Sequence, residues 1–398
     1  MGSFFTLSTK LRLARSVLTK NFPIYVQYYV TARCNLACEQ CNIIYANADV
    51  AEASTDDARR IAENLARIGV SVVLLTGGEP FARRDLPEIV AAFASNGIHT
   101  RLQTNGLASR AALEACVKAG ANDISISLDS LDPGVQDQIN GDVPDSWRRA
   151  VRTVSIVNEL FPGDALAVFG CVLAPRNLEQ VPSVVQFATE IGWWVSLVPA
   201  HATAKRAPLS FRTYDQTLVF PKDRWPRVDA VLDEIRRMQG EGFHVYDSEP
   251  YFEDMKRMIR GETMRWRDRN GGVCDSPNLY FAILPNGNMA VCCDWRMRTR
   301  ISVIDADFPD RFRADATREE AHGIAAACPG CLFGSFPEIT VSARWLGPML
   351  RRTLSFSRAD DRRALRRISE REILELAGEI RARAPQLYPE SAARDGGR

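Results

Sequence analysis

The sequence predicts an α/β protein: a partial (β/α)6 TIM-like barrel with a small cysteine-rich domain after it. Three observations carry that expectation. Between residues 23 and 200, six short apolar runs alternate with longer amphipathic stretches, the pattern of a parallel sheet covered by helices. Six units are too few to close an eight-fold barrel. Finally, eight of the ten cysteines fall into three groups, at 34–41, 274–293 and 328–331. In a chain of 398 residues such grouping points to metal rather than to disulfide staples.

The strand candidates are Ile24–Thr31, Val70–Thr76, His99–Gln103, Asp123–Leu128, Ala165–Leu173 and Trp194–Pro199. Each is a short apolar or alternating run bounded by turn-forming residues. Ala58, Ile61, Leu65 and Ile68 recur at helical spacing behind a Ser54/Thr55 cap. Leu86–Ser95, Ala111–Ala119, Trp147–Leu160 and Leu178–Ile191 have the same periodicity. After residue 200 the alternation stops. Residues 201–264 are expected to be a proline-bearing connection (Pro208, Pro221, Pro226) and one helix near 227–241. Residues 265–335 hold five cysteines and a predicted hairpin, Leu279–Leu284 and Met289–Cys293, turned at Asn286-Gly287. The domain expectation is therefore 1–22 helical extension, 23–200 barrel, 201–264 linker and helix, 265–335 cysteine domain, and 336–398 basic helical tail. Arg351 to Glu372, with eight arginines against four acids, is expected to be helical, and 391–398 is a polar tail.

Composition narrows the function classes. A hydrophobic content of 46% with 25% charged residues is that of a folded globular chain. Fifty Lys+Arg against 49 Asp+Glu leave a net charge of +1, so no global basic field is available to hold nucleic acid. No apolar run approaches the ~20 residues needed to span a bilayer. The N-terminus lacks the apolar core and small-residue cleavage site of a secretory signal, and a cytoplasmic location is expected. Leu7, Leu11, Ala14 and Leu18 share a helical face beside Lys10, Arg12 and Arg15, and Trp345 to Phe356 is also apolar and basic. These ends could lie on a membrane surface; the reading taken is helices packed on the barrel with solvated charges.

Cys34-Asn-Leu-Ala-Cys38-Glu-Gln-Cys41 follows the first strand. Three thiolates in one loop can wrap one face of an iron–sulfur cube and leave one iron open to a small chelating molecule. The alternatives are zinc completed by a distant residue, or buried cysteines without a role. Thr76-Gly-Gly-Glu-Pro80 closes the second strand. There Gly77 and Gly78 allow a ligand to approach the backbone, and Glu79 offers an acceptor to an ammonium.

These two motifs, one β-α unit apart, resemble the radical S-adenosylmethionine (SAM) superfamily over roughly 23–200. The resemblance implies a [4Fe–4S] cluster on Cys34, Cys38 and Cys41, with SAM chelating its open iron. It also implies that Gly77, Gly78 and Glu79 receive the methionine amino group. Thr104-Asn105-Gly106 and Ser127-Leu128-Asp129 end strands three and four, where polar residues face a binding mouth. By the same resemblance Thr104, Asn105, Ser127 and Asp129 contact the ribose or carboxylate of SAM. Two departures affect the adenine and carboxylate contacts: Gln40 stands where an aromatic residue is usual, and Ile139-Asn140-Gly141 where an arginine is common.

The later cysteines are Cys274, Cys292, Cys293, Cys328 and Cys331. Four thiolates would saturate a second cluster or a structural zinc ion, and spacing alone leaves both open. Beside a radical SAM barrel, the order Cys274, Gly287, Cys292, Cys328, Cys331 resembles the twitch domain, the short form of the SPASM extension. That implies one auxiliary [4Fe–4S] cluster. Neighbouring strand residues face opposite ways, so Cys292 is taken as ligand and Cys293 is turned away. Cys116 and Cys171 are read as apolar core residues. His99, His201, His244 and His322 are assigned no chemistry.

The resemblance implies an enzyme that reductively cleaves SAM to a 5′-deoxyadenosyl radical and abstracts a hydrogen atom from its substrate. It also implies an electron donor such as flavodoxin or ferredoxin. Oxidation of a small molecule in a biosynthetic pathway, with the auxiliary cluster accepting the electron, is the first reading. A peptide maturase acting on a ribosomally made precursor is the alternative. A lipid-modifying enzyme is a third reading, and a non-catalytic iron–sulfur electron carrier is the reading from another class.

Overall fold

Apolar runs separated by amphipathic stretches become strands whose outer face is sealed by helices. Six of them, β1 (Tyr25–Thr31), β2 (Val72–Gly77), β3 (His99–Thr104), β4 (Asp123–Ser127), β5 (Ala167–Leu173) and β6 (Trp194–Pro199), pair in parallel in chain order. The structure, a computed structural model, describes residues 7–41, 50–201, 215–264, 274–328, 330–333, 335–351 and 364–387. The described helices are α1 (Leu7–Thr19), α2 (Thr55–Ile68), α3 (Leu86–Ser95), α4 (Arg110–Lys118), α5 (Pro133–Ile139), α6 (Ser146–Leu160), α7 (Val181–Glu190), α8 (Trp225–Gly240), α9 (Glu249–Ile259), α10 (Phe308–Arg313), α11 (Asp315–Ala327), α12 (Ser335–Arg344) and α13 (Glu370–Arg383).

Helix α2 illustrates the local logic. Ser54 and Asp57 form a reciprocal capping box, and Gly69 ends the helix with φ +87. The buried row Ala58, Ile61, Leu65 and Ile68 packs into the main core with Val26, Tyr28, Val30, Val73 and Leu75 of the sheet. Each fully buried Ile or Leu in such a row contributes ~2 kcal/mol by removal from water.

The hairpin after residue 274 joins the barrel. Strand β7 (Tyr280–Ile283) pairs in parallel with β1, Tyr25 opposite Tyr280 and Tyr28 opposite Ile283, and β8 (Met289–Ala290) pairs antiparallel with β7. The result is one eight-stranded sheet in the order β6-β5-β4-β3-β2-β1-β7-β8. Asn286-Gly287 makes the turn, Gly287 at φ +79. The second strand stops at Ala290, three residues short of the sequence expectation, because residues 291–294 bend.

Two expectations about the ends change. Helix α1 does lie on the barrel, but through Thr9, Leu13, Ser16 and Val17, with Arg12 donating to the Gly97 carbonyl. Leu7, Leu11 and Leu18, read as its packing face, are 74%, 65% and 81% exposed. Within the predicted helix 351–372, residues 352–363 lie outside the described residues and 365–369 are not helical. Leu365 and Arg366 donate instead to Gly163 and Ile191 carbonyls, and α13 starts behind a Ser369–Glu372 capping box. Its buried Ile373, Ala377 and Ile380 strap the tail back onto α6 and α7. Linker residues 202–214 and the tail 391–398 lie outside the described residues. Among the described residues no helix is long and apolar enough to cross a membrane.

Candidate functional site

The cysteine loop leaves β1 and is anchored at its centre. Leu36 is 5% exposed, so burial of one leucine turns the flanking Cys34, Cys38 and Cys41 outward, each partly exposed. On the far side the Glu39 N–H donates to the Ile139 carbonyl at 3.2 Å. Gly141, at φ +86, lies where a Cβ would come 2.6 Å from the Ala37 oxygen. The Cys34 sulfur accepts from the Leu36 N–H at 3.4 Å and the Asn105 Nδ2 at 3.8 Å, and the Cys38 thiol faces Asn140 Oδ1 at 3.7 Å. Burial, then repulsion from neighbouring groups including Cys41, pushes the Cys34 and Cys38 thiols up. Such a group sheds its protons readily only to a cation that takes their place.

Gly77 and Gly78 answer first to the protein. A Cβ on Gly77 would overlap the Thr31 carbonyl oxygen, and one on Gly78 the Arg33 carbonyl oxygen. The backbone of the Gly-Gly-Glu segment is laid directly on the start of the cysteine loop. The Gly78 N–H donates to Thr31 O at 2.8 Å and the Glu79 N–H to Arg33 O at 2.7 Å. The ligand-approach role expected for these glycines is therefore joined by a steric one. Gly78→Ala is expected to cost about 2–3 kcal/mol by overpacking and to weaken iron retention; an unchanged denaturation midpoint would show that the loop can move aside.

Glu79 is buried, and three donors address it: Thr104 Oγ1 at 2.9 Å, the Asn105 N–H at 2.8 Å and the Phe81 N–H at 3.0 Å. Burial pushes its carboxyl up to about 7 against these hydrogen bonds. A carboxylate has about four lone-pair sites, so one acceptor position remains for an ammonium. Thr104 spends its hydroxyl proton on Glu79, so it supports the carboxylate instead of presenting a free donor to the mouth. Asn105 ties Glu79 to the cysteine loop, its Nδ2 reaching Asn35 Oδ1 at 2.7 Å. Ser127 ends β4 partly exposed. Asp129 is buried and accepts from the Val172 N–H at 2.6 Å and from Gln40 Nε2 at 3.0 Å. Burial raises its carboxyl to about 6.

The Gln40–Asp129 bond was not visible in the sequence. The residue before Cys41 looked only like a missing aromatic, yet it joins the cysteine loop to the end of β4 across 89 positions. Asn140, noted only as a missing arginine, lies beside Cys38 and donates to Ser146 Oγ at 2.9 Å.

At the other side of β1, Cys274, Cys292, Cys328 and Cys331 line one cavity together with Tyr280 and Trp295. N–H groups point at its sulfurs: Trp295 Nε1 to Cys328 at 3.2 Å, the Asp294 N–H to Cys292 at 3.3 Å and the Gly330 N–H to Cys328 at 3.4 Å. Hydrogen bonds to sulfur are the usual surroundings of cluster thiolates. Burial pushes the Cys274 and Cys292 thiols up. Cys293 faces away from this cavity, donating to Gln27 Oε1 on β1 at 3.2 Å. Strand alternation is not the reason, since β8 has already ended. The two thiols part because the chain turns at 291–295, the Val291 N–H donating to Trp295 O at 3.0 Å.

Cys116 and Cys171 are fully buried in the main core. His99 differs from its reading: Nε2 meets Asp123 Oδ2 at 2.7 Å between adjacent strands, a pair too distant in sequence to notice. Among the described residues no three His, Cys, Asp or Glu side chains close around a common metal position. The donor sets nevertheless suit iron–sulfur ligation chemically, with three thiols on one anchored loop and four lining one largely apolar cavity.

Residues 28–188 match the radical SAM superfamily. The chain is 30% identical over 175 residues to the PqqA peptide cyclase of Bradyrhizobium diazoefficiens, covering 44% of this chain and 45% of that protein. It is 28% identical over 174 residues to the AdoMet-dependent heme synthase of Methanosarcina barkeri, covering 43% and 49%. The chain thus spans about half the length of the curated relatives it matches. The fold superposes on Streptococcus suis SuiB bound to precursor peptide SuiA with a TM-score of 0.58 at 18% identity, over 80% of this chain and 70% of that one. At that identity the likeness is one of fold.

Proposed function

From a chain that carries a radical SAM domain over residues 28–188, we propose a radical SAM enzyme that modifies a peptide. Such a domain works with a [4Fe–4S] cluster and SAM, which when bound supply a 5′-deoxyadenosyl radical that takes a hydrogen atom from a substrate carbon. The observation carrying this reading is the hydrogen-bonded unit of the cysteine loop, Glu79 and Asn105. Cys34, Cys38 and Cys41 would hold the cluster. Glu79, kept in place by Thr104, Asn105 and Phe81, would accept the methionine ammonium. Gln40 and Asp129 would brace the mouth, with Ser127 at its rim. These residues hold the reacting groups in one geometry and keep water out.

We further take 265–335 as an auxiliary domain in which Cys274, Cys292, Cys328 and Cys331 would hold a second [4Fe–4S] cluster. A flavodoxin or ferredoxin would supply the electrons. Support for a peptide comes from the similarity to a peptide cyclase and from the shared fold of a protein solved with its precursor peptide. The heme synthase keeps a small molecule, the sequence's first choice, as the second reading.

The test has two parts. Anaerobically reconstituted protein with dithionite and SAM is expected to form 5′-deoxyadenosine and methionine. A short peptide encoded beside the gene, coexpressed with the chain, is expected to differ in mass from the same peptide coexpressed with the Cys34→Ala variant. An unchanged peptide beside an altered metabolite pool would move the assignment to the small molecule.

A further inference from the structure

Arg101 is the single lysine or arginine on any of the eight strands. It lies on β3 opposite Leu74 of β2 and Asp123 of β4, on the same face as Gln103 two residues on. That face is the inside of the barrel. The outward residues of the strands are sealed against helices. Inward Gln27, Gln103, Ser127, Gly170, Val172, Ser196 and Val198 are instead partly exposed, which leaves a lumen beneath the cysteine loop that the polar side chains among them share with apolar Tyr29 and Leu74. Arg101 stands toward its floor, 9% exposed.

A buried guanidinium normally has a carboxylate. Arg101 has none within ion-pair distance among the described residues, and its Nε is buried without a hydrogen-bond partner. Asp123 is turned elsewhere: its Oδ2 meets His99 at 2.7 Å and its Oδ1 accepts from the Leu166 N–H at 2.9 Å. Leu74 stands opposite on β2, and Tyr246 lies beside the guanidinium, its ring centre 5.9 Å from the carbon and its hydroxyl in hydrogen-bonding reach. Burial opposes the charge, yet Tyr246, Tyr25 and Asp123 hold the group protonated.

We propose that Arg101 binds a carboxylate of the substrate at the floor of the barrel lumen. This rests on the peptide-modifying reading and adds the substrate's anchor to it. One planar cation matches one singly charged, bidentate acceptor. A phosphate group carries nearly twice that charge and would call for a second cation, and no other strand residue supplies an arginine or lysine. Three residues of strand separate Arg101 from Thr104, about 10 Å at strand rise. The anchored carboxylate therefore lies toward the opposite end of the strands from the cysteine loop, and the substrate must extend between them. On a peptide the carboxylate is either an acidic side chain or the chain terminus.

Phenylglyoxal modification of the reconstituted full chain, read at Arg101 by peptide mass spectrometry, tests this without turnover. The probes are N-acetylglutamate α-amide (side-chain carboxylate), N-acetylalanine (terminal carboxylate) and N-acetylglutamine amide (neither). At least one carboxylate probe is expected to slow modification of Arg101 by about tenfold once it is roughly tenfold above its Kd, and which one succeeds names the source. Equal rates with all three probes, or an Arg101 that reagent never reaches, would overturn the proposal. Arg101→Gln is expected to lose the rise in melting temperature that the effective carboxylate probe gives the wild type, and Arg101→Lys to keep part of it; an undiminished rise in Arg101→Gln would likewise overturn the proposal. A wild-type protein that forms no 5′-deoxyadenosine would instead sink the SAM reading and leave the protection result to be judged by itself.

Discussion

Replacing Cys34, Cys38 and Cys41 together with alanine is expected to abolish 5′-deoxyadenosine formation, a fall of at least about a thousandfold. Iron is expected to drop from roughly eight to roughly four atoms per chain. All three thiols sit on one anchored loop and none is needed to hold it there. Leu36 fills the core, and the Glu39–Ile139 and Glu79–Arg33 backbone bonds fix the two flanks. The triple variant should therefore stay folded, with a denaturation midpoint near that of the wild type stripped of iron. Full 5′-deoxyadenosine formation by this variant would reject the assignment outright. Loss of activity together with collapse of the fold would mean that the loop is supported by its metal rather than by the contacts around Leu36.

The sheet was legible because its signal is local. Each barrel strand is a short run between turns, and Trp194–Pro199 begins and ends where the pattern puts it. Pairing between distant segments carries no such signal. That β7 would extend the sheet along β1 could not be read from either segment, since both look like ordinary half-buried strands. Helix α1 shows a different limit. Periodicity in the sequence favours the Leu7/Leu11/Leu18 row as its packing face, but Leu13 and Val17 form a second apolar row, and only the partner surface decides which is covered. In the site, the cysteines and the Gly-Gly-Glu segment were visible by motif. The hydrogen bonds joining them were not, because Gln40 meets Asp129 and Asn105 meets Cys34 only after the strands are aligned. Even Gly78 was recognised for the space it leaves a ligand, whereas much of that space is filled by Arg33.

The adjacent thiols Cys292 and Cys293 are expected to behave oppositely. Cys292 lines the cavity shared with Cys274, Cys328 and Cys331, and the Asp294 N–H points at its sulfur. Cys292→Ala removes one of the four thiols that line the cavity and leaves one iron with no protein ligand and no SAM to complete it. About four of the roughly eight irons are expected to be lost, with the 5′-deoxyadenosine-forming cluster retained. Cys293 instead donates to Gln27 on β1, toward the lumen. Cys293→Ala forfeits that weak bond and some packing, about 1 kcal/mol, and should keep all the iron. Metal analysis of the two variants beside the wild type checks this. If iron follows Cys293 instead, the turn at 291–295 holds the other sulfur in the cavity. If the wild type carries one zinc and only about four irons, the four thiols form a structural zinc site. An electron leaving the substrate would then need another acceptor, because zinc has no redox chemistry to offer.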